Sequence, residues 1–231
     1  MRELGIESVR QKAKKNFQKE LYAQSNQLHQ DFHAEAPNCI WVSNTTEFWY
    51  NQKRFVFCVI IDLFSRKIVA HKISFKNSPR LVKATFESAY EVRKPPAGLI
   101  FHSDRGSNYA SQTFCNLLAS QNIAKSFSRS GKPHDNAVAE TFFKSLKQEE
   151  LYRTHYHSEK EFKKAVDTYI LFYNSKRPHK TLQYKTPDQV EIEFAENWTN
   201  RFRSSRFIPY FSFLQIFRIL SNLILSNFKK K

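Results

Sequence analysis

The sequence predicts a mixed α/β fold, in which a five-stranded sheet with three antiparallel and two parallel strands is flanked by helices. Two observations lead to this class. Three short segments of strand-like pattern follow one another closely from residue 40, which is typical of an antiparallel meander. Beyond residue 78 the hydrophobic period changes, and helical segments alternate with two short apolar runs. That alternation is typical of strands joined by helices.

The first three strands are separated by short turns. The apolar run at residues 57–61 is hydrophobic enough for a strand that is buried on both faces of a sheet. Turns are expected at residues 51–53 and 65–66. The strands are predicted at residues 40–48, 54–63 and 67–75.

Two further strands and four helices are predicted after this meander. Ser78 and Pro79 mark a helix start, because serine caps free backbone N–H groups and proline fits the first helical position. Ser158 and Glu161 form a capping box at another start, and Asp135 or Asn136 is expected to cap the third helix. The helices are predicted at residues 78–93, 111–120, 136–151 and 158–173, the strands at 99–102 and 123–127, and a flexible loop at 128–134. We interpret this element order as ribonuclease-H-like, although the order alone also suits other α/β folds.

The composition indicates a polyanionic partner. The formal net charge of the 231 residues is +16, which favours nucleic acid or an anionic membrane surface; a lysine-rich coding bias is the plainer explanation. The three cysteines form no C-x-x-C pair, which argues against a disulfide framework or a zinc site and fits a reducing compartment. The N-terminus lacks an apolar secretory segment, so we expect a cytoplasmic protein.

Three polar positions stand where the predicted sheet would converge. Asn44 lies in the middle of the first strand, Asp104 follows the fourth strand, and Glu140 lies in the first turns of the helix after the loop. Phosphodiester chemistry with two Mg²⁺ ions needs carboxylates, because hard cations prefer oxygen ligands. Each position also has an ordinary explanation: Asp104 as a turn residue before Gly106, and Glu140 as an exposed helix residue.

Several segments resemble the transposases of bacterial insertion sequences that carry an integrase catalytic core, the DDE type of the retroviral-integrase-like superfamily. Asp104 lies within His-Ser-Asp-Arg-Gly-Ser-Asn-Tyr, and Glu140 within Asp-Asn-Ala-Val-Ala-Glu. The two are separated by 35 residues, and Lys147 follows Glu140 by seven; both spacings are similar to the family signature. The resemblance covers about residues 1–193, through segments at 41–46, 62–69, 102–109, 131–143, 173–174, 177–179 and 186–187.

The resemblance implies a role for each matching position. Asp104 and Glu140 would be ligands of a two-metal site for Mg²⁺ or Mn²⁺, and Lys147, Lys144 and Arg105 would bind DNA. For the two lysines the alternative is a solvated helix face. The implied partners are double-stranded DNA and further copies of the chain in a DNA complex, and the implied location is the bacterial cytoplasm, at the nucleoid.

Asn44 is the main departure from the family, which has an aspartate at this position. An amide is neutral and bridges two cations poorly. A hairpin centred near Gln52 would pair Asn44 with about Ile60 and leave Asp62 two residues away, so Asp62 is not expected to replace the missing carboxylate. We therefore expect DNA cleavage and strand transfer to be lost or greatly weakened. The alternative is a catalytically dead DNA-binding remnant that interferes with active relatives.

The chain divides into three predicted regions. Residues 1–35 form a basic arm that resembles the remnant of a longer N-terminal region, 36–193 the catalytic core, and 194–231 an atypical basic and apolar tail. The tail suits either an amphipathic surface helix or a drifted sequence. Besides the transposase and the DNA-binding remnant, a membrane-surface protein is a third possible function, which rests on this tail alone. The resemblance, Asn44 and the two ends together predict a truncated or inactivated transposase copy.

Overall fold

A computed structural model describes residues 26–28, 31–128 and 136–203, with the backbone alone for 201–203. These residues contain one five-stranded sheet in the order β3-β2-β1-β4-β5. The first three strands pair antiparallel, and β4 and β5 run parallel to β1, so the predicted mixed sheet is confirmed. The strands are β1 Ile40–Tyr50, β2 Lys53–Asp62, β3 Ile68–Ser74, β4 Ile100–Ser103 and β5 Ala124–Phe127.

The hairpin between β1 and β2 is tighter than the sequence predicts. Asn51 and Gln52 both have positive φ, 47° and 60°, as in the two-residue type I′ turn that matches the twist of paired strands. The expected turn had three residues. Because the observed turn has two, the register moves by one, and Asn44 pairs with Val59 instead of Ile60.

Four helices cover the two faces of the sheet. α1 (Pro79–Arg93) and α2 (Gln112–Ser120) pack on one face, and α3 (Ala137–Leu146) and α4 (Glu159–Ser175) on the other. Ser78 and Ser158 accept N–H bonds at the starts of α1 and α4, as predicted. A 3₁₀ turn at Lys180–Leu182 and a fifth helix, α5 (Pro187–Arg203), follow.

The helix expected to run to residue 151 changes character before its end. α3 stops at Leu146 and continues as a π-helical turn over Lys147–Leu151. The N–H of Tyr152 donates to the carbonyl oxygen of Lys147 at 2.9 Å, a bond across five residues. Such π turns are rare and are frequent at functional sites.

The alternation of side chains along β1 separates two hydrophobic cores. Val42 packs with α3 and α4, through residues such as Phe142. Trp41 packs with α1 and α2, through residues such as Phe86. Because side chains alternate along a strand, Asn44 points to the same face as Val42.

A buried ion cluster joins α1, β2 and α5. Arg93 donates two hydrogen bonds to Glu191, at 2.6 and 2.9 Å, and one to Asp62 at 3.3 Å. Although burial alone would raise the pKa of Glu191, the charges of Arg93 and Lys67 hold it down to about 2. Burial raises the pKa of Asp62 despite the charge of Arg93.

This cluster removes Asp62 from the neighbourhood of Asn44. Asp62 pairs with Trp41 across the hairpin, so it lies three residues from the level of Asn44 and on the opposite face. Its carboxylate also accepts the N–H of Phe64 at 2.9 Å, which shapes the following turn. Asp62 therefore belongs to the scaffold.

Some sequence predictions fall outside the described residues. They are the loop over 129–134, the cap at Asp135, most of the arm 1–35 and the tail beyond 203. The predicted boundary between residues 193 and 194 falls within α5. Among the helices of the described part, none is both long and apolar enough to cross a bilayer.

Candidate active site

Asn44 occupies the centre of the sheet, on β1 between β2 and β4. The parallel pairing of β1 with β4 ends at Ser43, which lies opposite Ser103. Asn44 follows Ser43 and Asp104 follows Ser103, so the two are the first residues beyond the paired part of these strands. The Asn44 side chain is partly buried. Its Oδ1 atom accepts the N–H of Thr45 at 2.8 Å, so the amide oxygen is engaged with its own strand.

Asp104 begins a tight loop after β4. Its Oδ1 atom accepts the N–H of Gly106 at 2.9 Å. A Cβ atom at position 106 would lie 2.9 Å from the same oxygen, so a larger residue there would require the Asp104 side chain to shift. Burial raises the pKa of Asp104. The loop is fastened to β1 by a 2.8 Å hydrogen bond between Tyr109 and Ser43 on the other face of the sheet.

Glu140 is carried to the site by α3. Asn136, at the start of this helix, makes no side-chain cap; instead its Nδ2 donates to the carbonyl oxygen of Ser43 at 3.1 Å. This bond joins α3 to the strand residue just before Asn44. Glu140 is exposed one turn later and lines a groove of about 390 Å³ together with Asn44.

Two candidate DNA-binding lysines line the same groove. Lys147 donates to the hydroxyl of Thr46 at 2.9 Å, and Thr46 shares the face of Asn44 because it lies two residues along the strand. Lys144 is exposed at the groove. The structure thus brings Asn44, Glu140, Lys144 and Lys147 into one groove.

Arg105 lies apart from this set. Its Nε atom donates to the carbonyl oxygen of Ser128 at 2.8 Å, which ties the Asp104 loop to the end of β5. Arg105 is not among the residues that line the groove. Neither is Asp104, which lies beside Asn44 at the end of the parallel strands.

The donor set is short of what two metal ions need. Asp104 and Glu140, the positions that the resemblance implies as ligands, carry two carboxylates and Asn44 one amide oxygen, whereas a pair of hard cations needs more compensating charge. Within residues 26–28, 31–128 and 136–203, no group of three His, Cys, Asp or Glu side chains is placed to hold a metal. The residues present therefore do not supply the compensating charge that two divalent cations need.

Residues that the sequence did not single out hold the π turn beside the groove. Arg177 makes a two-pronged contact with Glu149, at 2.6 and 2.9 Å, and Tyr169 donates to the same carboxylate at 2.9 Å. The hydrogen bonds from Arg177 lower the pKa of Glu149. Arg177 belongs to the Arg-Pro-His segment of the resemblance, but its partner lies 28 residues away, where no local pattern reveals it.

The strand order and the helices on both faces of the sheet define an integrase-type core fold. Solved structures share this fold. The HTLV-2 integrase catalytic core domain in complex with magnesium superposes with a TM-score of 0.54 at 18% identity, covering 68% of this chain and 99% of that one. The BIV integrase core domain gives 0.55 at 17% identity, over 70% of this chain and 99% of that one.

Sequence comparison identifies the family. Two family models, both described as integrase core domain, match residues 34–133 and 121–187. The transposase for insertion sequence element IS904 of Lactococcus lactis is 37% identical over 167 residues, which are 72% of this chain and 66% of that protein. The transposase InsF for insertion sequence IS3A of Escherichia coli is 34% identical over 167 residues, 72% of this chain and 58% of that protein.

The chain belongs to the insertion-sequence transposases that carry an integrase core domain. It spans about 58–66% of the length of these two relatives.

Proposed function

We propose that the chain is a DNA-binding strand-transferase core whose cleavage and joining activity is lost or greatly weakened by Asn44. The observation that carries this proposal is the groove itself, which combines the polar positions 44 and 140 with the ammonium groups of Lys144 and Lys147. Lysine binds phosphate as a point charge, and the net charge of +16 strengthens attraction to a polyanion. The substrate is double-stranded DNA, bound by an oligomer of the chain at the nucleoid.

The metal chemistry explains why activity would fall. Divalent cations, where bound, would stabilise charge on the attacking and leaving oxygens. Asp104 and Glu140 are the residues that would hold such a cation. Asn44 supplies no charge, and its oxygen is engaged by the N–H of Thr45.

Restoring the missing carboxylate tests the proposal. We expect Asn44→Asp to raise Mg²⁺- or Mn²⁺-dependent nicking and strand transfer on an end of the matching element by at least about 100-fold, because a metal-bound carboxylate contributes several kcal/mol at the transition state. The double variant Asn44→Asp with Glu140→Gln is the control and should show neither nicking nor strand transfer. The proposal is wrong if the natural chain already cuts and Glu140→Gln abolishes that cutting.

A second candidate function is DNA binding without chemistry, in which the chain joins the oligomer of an active relative and blocks it. The incomplete carboxylate set beside two lysines favours it. If the chain binds DNA in a salt-sensitive way and no variant cuts DNA in the cleavage assay, DNA binding without chemistry is the better description of its function.

A further inference from the structure

The π turn places an aromatic side chain at the groove. Tyr152 follows Lys147 by five residues, and its N–H bonds to the Lys147 carbonyl oxygen. In a regular α-helix, five residues would rotate the side chain about 140° away from that of Lys147. The π turn instead keeps Tyr152 close, and its side chain lines the groove with Lys144, Lys147 and Glu140.

The Tyr152 ring is supported from one side and otherwise open. Its side chain is 68% exposed, and the ring of Phe48 lies 6.1 Å away between centroids. Phe48 in turn stacks on Phe162 at 5.4 Å, so the support continues into the core. An aromatic ring that faces a groove with ammonium groups is the arrangement on which nucleotide bases stack.

The turn that carries Tyr152 is fixed from outside the groove. Arg177 and Tyr169 both hold Glu149, in the middle of the turn, at 2.6–2.9 Å. Because the turn is held in place before any ligand arrives, little order has to be gained on binding.

We propose that Tyr152 is a stacking platform for an unpaired nucleotide base of the DNA that occupies the groove. Bases inside a duplex are covered on both sides by their neighbours, so a base within the groove offers a free face only where it is unpaired. Lys147 would hold the phosphate and Tyr152 the base one turn further on. The inference rests on the proposed function, because it requires DNA in this groove.

Binding measurements with two DNAs test the inference. One is a blunt-ended duplex, and the other is the same duplex with a short unpaired overhang; affinities of the full chain are measured by fluorescence anisotropy without divalent cations. Tyr152→Ala should weaken binding of the overhang DNA by about 5- to 100-fold, the range for loss of one stacked base, and leave the blunt duplex unchanged. Tyr152→Phe should keep the preference, because stacking needs the ring and not the hydroxyl.

Two further variants separate the possible failures. Tyr184, which is 70% exposed outside the groove, provides a matched control, and Tyr184→Ala should bind both DNAs normally. If Tyr152→Ala binds both DNAs as the natural chain does, or weakens both equally, while Lys144→Gln weakens both, DNA lies in the groove and the stacking proposal is wrong. If no groove variant changes affinity for either DNA, the proposed function fails and the stacking proposal fails with it.

Discussion

Asn44 differs from an aspartate in having an NH2 group in place of one carboxylate oxygen, so it lacks the negative charge and one acceptor atom. The side chain keeps its place on the Val42 face of β1, and its oxygen accepts the N–H of Thr45. Asn136 anchors α3 to the preceding residue through a backbone carbonyl, which does not depend on the identity of residue 44. The amide is therefore compatible with the fold around it, and the proposed loss of activity rests on the charge that it does not supply to a pair of cations.

Lys147 offers a test at the same scale. Its ammonium group lies 2.9 Å from the Thr46 hydroxyl at the groove, where we expect a DNA phosphate. Lys147→Gln should weaken binding to any duplex and reduce the slope of log affinity against log salt concentration by about 0.9, the value for one lost phosphate contact. Lys83, on α1 and paired with Glu87, is the control; an unchanged slope for Lys147→Gln would contradict its contact with phosphate.

At the scale of single elements, the π turn is contacted by a partner that is distant in sequence. The Nε and Nη2 atoms of Arg177 donate hydrogen bonds to the two carboxylate oxygens of Glu149. Nη2 also lies 3.4 Å from the Ser145 hydroxyl. Lysine carries the same charge but cannot make this planar contact. The turn is thus held by geometry as well as by charge.

Arg177→Lys should loosen the turn without unfolding the protein. Because both side chains are partly exposed, we expect a loss of only about 1 kcal/mol in the free energy of unfolding. Hydrogen exchange at the Tyr152 amide, which bonds to Lys147, should accelerate, whereas the Phe162 amide at the start of α4 should be unaffected. Unchanged exchange at Tyr152 would show that the π turn does not depend on Arg177.

Local pattern explains which elements the sequence could predict. The starts at Ser78 and Ser158 carry their own capping signals, and the strand positions follow from short apolar runs. The predicted β1–β2 register was wrong by one residue, because the turn has two residues and not three. The two-residue turn needs a positive φ at Gln52, which is 60°, and positive φ is expected of glycine and not of glutamine. The π turn and the position of Tyr152 could not be predicted, since no local pattern indicates the turn or the contact between Glu149 and Arg177 beside it. The pairing of Arg93 with Glu191 could not be predicted either, because these residues are 98 positions apart in the sequence.

For the molecule as a whole, the ion cluster of Asp62, Arg93 and Glu191 is the main polar tie between the sheet and α5. All three side chains are buried. Removing one partner from such a cluster leaves a buried charge without compensation, which lowers the free energy of unfolding. The cluster therefore makes α5 part of the same cooperative unit as the sheet.

Arg93→Met should lower the free energy of unfolding by about 3–5 kcal/mol at neutral pH, measured by urea denaturation. The folded-state pKa of Glu191 lies below its unfolded value, so in the natural chain its contribution is present at neutral pH and is lost as pH falls from about 4.3 towards about 2. In the variant two buried carboxylates repel each other until one is protonated, so the loss should shrink on acidification. The exposed pair of Lys53 and Glu159 is the control, and Lys53→Met should cause no measurable change; a pH-independent loss in Arg93→Met would exclude the cluster as its cause.

The ion cluster and Asn44 lie on opposite faces of the sheet, three residues apart along β1, or about 10 Å. The residues that secure the fold are thus separate from those that would perform the chemistry. Cellular proteases remove chains according to how readily they unfold, and the ion cluster that ties α5 to the sheet does not include Asn44. If Asn44 abolishes the chemistry, we expect that loss to leave the resistance of the chain to cellular proteases unchanged.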